Sequence, residues 1–130
     1  MRMVYSEVLM DHFENPRHPG CFDGPAENIG SGMVGNRETG GVLRLQIRVD
    51  DGTIVDSRFQ AYGPPALIAA GSWLANAVQG ASLQESERLT QQAIVQALEL
   101  PAVRIHCALL AEDALRAAIQ DFRNKQRVYA

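Results

Sequence analysis

The chain has 130 residues, 46% of them hydrophobic and only 6% aromatic, so a core of aliphatic side chains and alanine fits one domain spanning 1–130. A formal net charge of −3 argues against a nucleic-acid surface, and no apolar run is long enough to span a bilayer. The run Met1-Arg2-Met3-Val4-Tyr5-Ser6-Glu7 turns polar too soon for a secretory signal, so the two cysteines read as free thiols of a cytoplasmic protein.

Ser6 is placed to cap a short first helix carrying Val8, Leu9 and Phe13, which must stop before Asn15-Pro16 because the residue before proline avoids the α region. Residues 14–27 read as loop, with Pro16, Pro19, Gly20, Gly24 and Pro25 close together. Gly30-Ser31-Gly32-Met33-Val34-Gly35 reads as a strand running into a loop that reaches Gly40-Gly41. Next, Leu43, Leu45, Ile47 and Val49 alternate with Arg44, Gln46 and Arg48, which predicts a strand with one buried face. Asp50-Asp51-Gly52 is a hairpin turn, and Val55, Phe59 and Ala61 are expected to continue the inward alternation on the returning strand.

After Tyr62-Gly63-Pro64-Pro65 the period becomes helical. Ala66 to Gln79 is apolar almost all round, which predicts a buried helix closed by Gly80. Ser82 and Glu85 form a capping-box pattern, Thr90 can cap a further helix through Leu98, and Pro101 pre-sets the start of a last one. In that last helix Ala108, Ala111, Leu115, Ile119 and Phe122 make one apolar stripe, and Glu112 and Arg116 an i,i+4 ion pair. Strands first and helices after is an α+β order: a small three-stranded antiparallel sheet packed by helices.

The chemistry concentrates at His106-Cys107, the one place where two soft metal ligands adjoin. Cys107 falls near the start of the last helix, where the helix dipole and a protonated His106 would favour thiolate, so it is a candidate nucleophile or sulfur acceptor. The blander alternative is a small buried hydrophobe. Cys21 lies in a loop with nothing near it to activate it, His12 is expected to face solvent, and His18 lies in the same loop. None of these three has a ligand-like neighbour. The glycine-rich stretch lacks a Gly-Lys-Ser/Thr ending and leads into a strand, so its glycines mark flexible or closely packed backbone rather than a phosphate cradle.

Longer motifs point further. Tyr5-Ser6-Glu7, Asp11-His12-Phe13-Glu14-Asn15-Pro16-Arg17, Glu27-Asn28-Ile29-Gly30-Ser31-Gly32-Met33-Val34-Gly35 and Ile105-His106-Cys107-Ala108-Leu109-Leu110-Ala111-Glu112-Asp113-Ala114 resemble the IscU/NifU-type iron–sulfur cluster scaffold, in register from about Val4 to Lys125. The resemblance implies a non-enzymatic scaffold with a cluster site at one tip. It also implies two partners, a cysteine desulfurase that delivers sulfur and an Hsp70-type chaperone that aids cluster release.

The ligand positions of that family are altered here. The resemblance places a Cys-Gly-Asp loop where this chain has Thr39-Gly40-Gly41, and a second cysteine after Tyr62-Gly63, where Pro64-Pro65 stands. Only His106 and the third cysteine, Cys107, remain as a partial cluster-ligand set. The implied chaperone segment reads Leu100-Pro101-Ala102-Val103-Arg104, with Ala102 at the family's second proline. Three expectations follow. The first is a degenerate or accessory scaffold that docks the desulfurase and takes a persulfide on Cys107. The second is a true binder of a cluster, iron or zinc through His106, Cys107 and Glu38, or through a second chain. The third is an interaction module that keeps only the fold.

Overall fold

A computed structural model describes residues 4–24, 26–36, 38 and 40–129; Pro25 and Thr39 lie outside the described residues. The elements run α1 (Glu7–Glu14), β1 (Ile29–Asn36), β2 (Gly41–Asp50), β3 (Thr53–Tyr62), α2 (Pro65–Ala77), α3 (Leu83–Glu87), α4 (Gln91–Leu98), a 3-10 turn (Ala102–Arg104) and α5 (Ile105–Tyr129). The strands form an antiparallel sheet in the order β1-β2-β3, giving the α+β fold that the sequence predicts.

The alternation in β2 carries the core. Leu43, Leu45, Ile47 and Val49 are all buried, on the face covered by α2 and α5. Burying each such side chain contributes roughly 1.5–3 kcal/mol relative to leaving it in water. Gly71 lets α2 approach this face, since a Cβ there would meet Phe59 Cδ2 at 2.6 Å and Leu43 Cδ1 at 2.9 Å.

The returning strand departs from the expected pattern. Arg48 pairs with Asp56 but Val49 pairs with Ile54, so Val55 is an extra, unopposed residue in β3. This bulge flips the pleat. Ile54 becomes fully buried, Val55 is exposed, and buried Ser57 takes the inward position, its hydroxyl donating to the Ala75 carbonyl at 2.5 Å. On the sheet's other face the Phe22 ring lies under the Arg48 and Arg58 guanidinium groups, at 4.3 and 5.0 Å. The Phe22 N–H donates to Gln46 Oε1 at 2.9 Å, which accounts for the burial of that glutamine.

The glycines of β1 let α5 lie against the strand. A Cβ at Gly30 would collide with the Ala118 carbonyl, and one at Gly32 with the Ala114 carbonyl and, at 2.5 Å, the Ala118 nitrogen. The reading of closely packed backbone holds here. The same helix covers the strand's free edge. Asp121 accepts from the Ser31 N–H at 2.9 Å, and Lys125 donates to the Ile29 carbonyl at 2.7 Å.

The helix ends mostly follow their sequence signals. Ser6 accepts from the Leu9 N–H, and α1 stops at Asn15. The Ser82–Glu85 capping box forms in both directions. Thr90 takes the N-cap position of α4 but makes no side-chain cap bond. Glu112 of α5 substitutes for it, accepting from the Gln91 N–H at 3.0 Å. Pro101 opens the 3-10 turn, and α5 follows only at Ile105.

His12 is a correction. It is buried, not solvent-facing, with Nδ1 2.8 Å from Ser72 Oγ of α2. Because Ser72 already accepts from the Arg17 N–H, its own proton is free for the imidazole. Burial, aided by the Arg17 charge, holds the His12 pKa below its ordinary value. Thus α1 docks on α2 through a neutral imidazole.

Candidate functional site at the start of the last helix

The antiparallel run of α5 along β1 decides where its first turn lies. Gly30 faces Ala118, Gly32 faces Ala114, and Gly35 faces Leu110. Stepping back along α5 therefore approaches the end where β1 turns into β2. The pairing of Val42 with Tyr62 carries the end of β3 and the start of α2 to that same end. Glu38, Gly41, Gly63-Pro64 and the first turn of α5 are thus gathered at one tip of the sheet by topology alone.

Their local chemistry differs from residue to residue. Gly41 is buried, and a Cβ there would meet Leu67 Cδ2 of α2 at 2.5 Å. Pro64 is the N-cap of α2, and Pro65 stands in its first turn, where a missing N–H costs nothing. The prolines therefore serve to start a helix. Glu38 is exposed in the turn between β1 and β2. Thr39 is outside the described residues.

His106 and Cys107 open α5 together, with Cys107 Sγ 3.7 Å from His106 Nε2. His106 is exposed, whereas Cys107 is 0% exposed and belongs to the core. This burial matches the alternative of a small buried hydrophobe, and the expected stabilisation of thiolate is reversed. Burial pushes the Cys107 thiol up to about 11, and the nearby Arg104 charge offsets this only in part. A helix dipole acts on a charge that forms, but a thiol enclosed by apolar groups pays a larger desolvation cost to form it. Cys21 is exposed, and His18 has positive φ with its Nδ1 accepting from Gln79 Nε2 at 3.0 Å. No group of three or more His, Cys, Asp or Glu side chains poised to hold a metal occurs among the described residues.

The segment before this pair is held by Tyr5 and Ser6, residues that the motifs single out without revealing these contacts. Leu100 is buried, Pro101 is partly buried, Ala102 and Val103 are exposed, and Arg104 donates through Nε to the Tyr5 hydroxyl at 3.3 Å. One residue on, Ser6 donates to the Leu98 carbonyl at 2.6 Å. Contacts across more than ninety positions leave no periodic signal in a single sequence. Leu67, whose methyl fills the space beside Gly41, likewise looked like any apolar helix residue.

A small antiparallel sheet packed on one face by an apolar helix and a long C-terminal helix, with His-Cys at the start of the latter, defines an α+β domain whose candidate site lies at one tip. The family model described as NifU-like N terminal domain matches residues 4–128, and the chain belongs to that IscU/NifU family. Similar curated proteins carry the name iron-sulfur cluster assembly scaffold protein IscU. The one from Escherichia coli (strain K12) is 50% identical over 125 residues, covering 95% of this chain and 98% of the relative. The one from Haemophilus influenzae is 47% identical over 125 residues, covering 95% and 99%. A crystal structure of a NifU-like protein (N-terminal) from Brucella abortus shares the fold at TM-score 0.66 and 17% identity, over 94% of each chain. Among the described residues no helix is long and apolar enough to cross a membrane.

Proposed function

We propose that this chain acts in iron–sulfur cluster assembly as an accessory member of the scaffold family. In this reading it docks a cysteine desulfurase and accepts sulfur on Cys107, with a weakened hold on the cluster itself and a cytoplasmic setting. Likeness to IscU scaffolds along nearly the whole chain supports the scaffold role. The observation that carries the finer reading is the filled space at the tip. Leu67 occupies the volume that a side chain at Gly41 would need, and Pro64 offers no ligand atom. The cluster is cargo in such a protein, and His106 with Cys107 supply only two of the four protein ligands that a cluster commonly takes. A single iron or zinc would draw on the same pair and on Glu38.

The chemistry asked of Cys107 is sulfur exchange. Its thiolate attacks the outer sulfur of a persulfide on the donor enzyme, and a new S–S bond forms on Cys107. The donor's own S–S bond breaks, and its cysteine leaves as thiolate. No external oxidant or reductant is needed. An Hsp70-type chaperone would take the segment Leu100–Arg104, of which Ala102 and Val103 already face solvent.

The test is incubation with a cysteine desulfurase and free cysteine, followed by intact-mass analysis and gel filtration. One added sulfur atom, absent in Cys107→Ser, is expected together with a complex between the two proteins. Unmodified Cys107 and no complex would overturn the reading. Anaerobic reconstitution with iron and sulfide addresses the rebuilt site: a stable chromophore that Cys107→Ser abolishes would favour it instead.

A further inference from the structure

Sulfur exchange requires two sulfur atoms to touch, yet Cys107 Sγ is closed off within the core. The segment just before it is the part of this end least able to hold itself. Residues 99–104 comprise Glu99 in the left-handed region at φ 50°, then Leu100 and Pro101, then a single 3-10 turn. A non-glycine residue in that region is strained, and one turn of 3-10 helix is too short to be stable alone. Val103 is 62% exposed and contributes little burial to fix the turn.

Leu100 is anchored in the core, with its N–H donating to the Val95 carbonyl at 3.1 Å, and the side-chain contacts that bracket the segment come from the other end of the chain. Ser6 donates to the Leu98 carbonyl at 2.6 Å, just before the segment, and Tyr5 accepts from Arg104 Nε at 3.3 Å, at its end. Two consecutive residues therefore grip both ends of a six-residue connection. Beyond the second grip lie His106 and Cys107. We propose that Tyr5 and Ser6 form a two-point clamp on residues 99–104, and that opening of this clamp, rather than unfolding of the domain, is the motion that uncovers Cys107. The clamp is a local-opening unit with its own small free energy, below that of the sheet and α2. The inference rests on the sulfur-accepting reading for its purpose, but its test contains no desulfurase, so the two can fail separately.

The experiment uses the full chain carrying Cys21→Ser, because exposed Cys21 would otherwise react first. Cys107 alkylation by iodoacetamide is followed by intact mass under native conditions. Tyr5→Phe deletes the hydroxyl that Arg104 grips and leaves the Ser6 cap of α1 in place. It is expected to speed alkylation by about three- to tenfold, the effect of losing one modest hydrogen bond from a local opening. Ser57→Ala is the control: it removes a buried bond between β3 and α2 and lowers global stability away from the clamp. It should lower the thermal midpoint without changing the alkylation rate. Amide hydrogen exchange should rise at Arg104 to Cys107 in Tyr5→Phe and remain unchanged in β2. An unchanged rate in Tyr5→Phe would overturn the proposal. So would equal acceleration in Ser57→Ala, because exposure would then follow global unfolding.

Discussion

The two ends of α5 are held in opposite ways. From Ala114 onward the helix lies on Gly30 and Gly32, with backbone groups so close that no β-carbon fits, and its side chains cap the edge of β1. Its first turn encloses Cys107 but is reached through a strained connection gripped by Tyr5 and Ser6. One end is fixed by shape over many atoms, whereas the connection leading into the other is gripped by two side-chain hydrogen bonds. Under the proposed sulfur-accepting role, this division lets the thiol open while the sheet beneath it stays closed.

The largest effect should come from breaking the rigid end. In Gly32→Ala the new methyl meets the Ala114 carbonyl, the Ala118 nitrogen and the Ala117 methyl, two of them backbone atoms that cannot step aside. Overpacking of this kind costs about 3 kcal/mol. Gly40→Ala is the contrast: φ is +105° but nothing lies within 4 Å of the added carbon, so strain acts without a clash. That change should cost about 1 kcal/mol. Urea unfolding measures both, and equal losses would contradict the assignment of rigidity to the glycine face.

Acid should act on the clamp end through α1. His12 is held neutral against Ser72, with Asp11 and Arg17 as the neighbouring charges. Its pKa in the fold lies below the ordinary 6.5, so the unfolded chain takes up the proton first as pH falls. The stabilisation is complete above about 6.5 and is lost as pH drops through the lower folded value, with a slope no steeper than about 1.4 kcal/mol per pH unit. His12→Asn keeps a polar group facing Ser72 and cannot titrate. Its acid limb should be flatter than that of the parent between pH 7 and pH 5, roughly the window in which histidine titrates. An identical limb would remove His12 as the cause.

The middle of α5 gives an intermediate case. Glu112 caps α4 from another helix, so Glu112→Ala should cost about 1 kcal/mol, within the usual range for a lost cap. Glu112→Gln keeps the acceptor and should lose less. Arg116, more than half exposed at 3.7 Å from the same carboxylate, contributes little, and Arg116→Ala should change stability by less than about 0.5 kcal/mol.

Local signals made the rigid parts readable. Alternation in β2, the Ser82–Glu85 box, the apolar helix after Pro65 and the stripe of α5 all declare themselves within a few residues. The bulge at Val55 does not, because either Ile54 or Val55 satisfies the pattern and only the fit to Val49 chooses. His12 looked like a polar residue on a short helix, and only Ser72, sixty positions on, makes its burial tolerable. The candidate pair at His106 and Cys107 was visible in the sequence, as was the presence of Gly41 and Pro64, which carry no ligand atoms. The state of the thiol was left open between an activated thiolate and a small buried hydrophobe, and the structure takes the second. The sequence places it at a helix start, which favours ionisation, while the enclosure that outweighs this comes from residues far along the chain.

The smallest effect tests the edge of β1. Lys125 gives one hydrogen bond to the Ile29 carbonyl at 2.7 Å and an ion pair to Asp121 at 3.1 Å, and both ends of that pair are about a third exposed. Solvent screens such a pair, so Lys125→Met should cost only about 0.5–1 kcal/mol. Its informative consequence is where protection is lost. Without the lysine the Ile29 carbonyl can turn to water, but Gly30 and Gly32 still lock α5 to the strand. Hydrogen exchange should therefore quicken at the start of β1 and stay unchanged at Arg104 to Cys107. Quickening at both places would mean that the two ends of α5 open together, and the division between a rigid end and a releasable one would not hold.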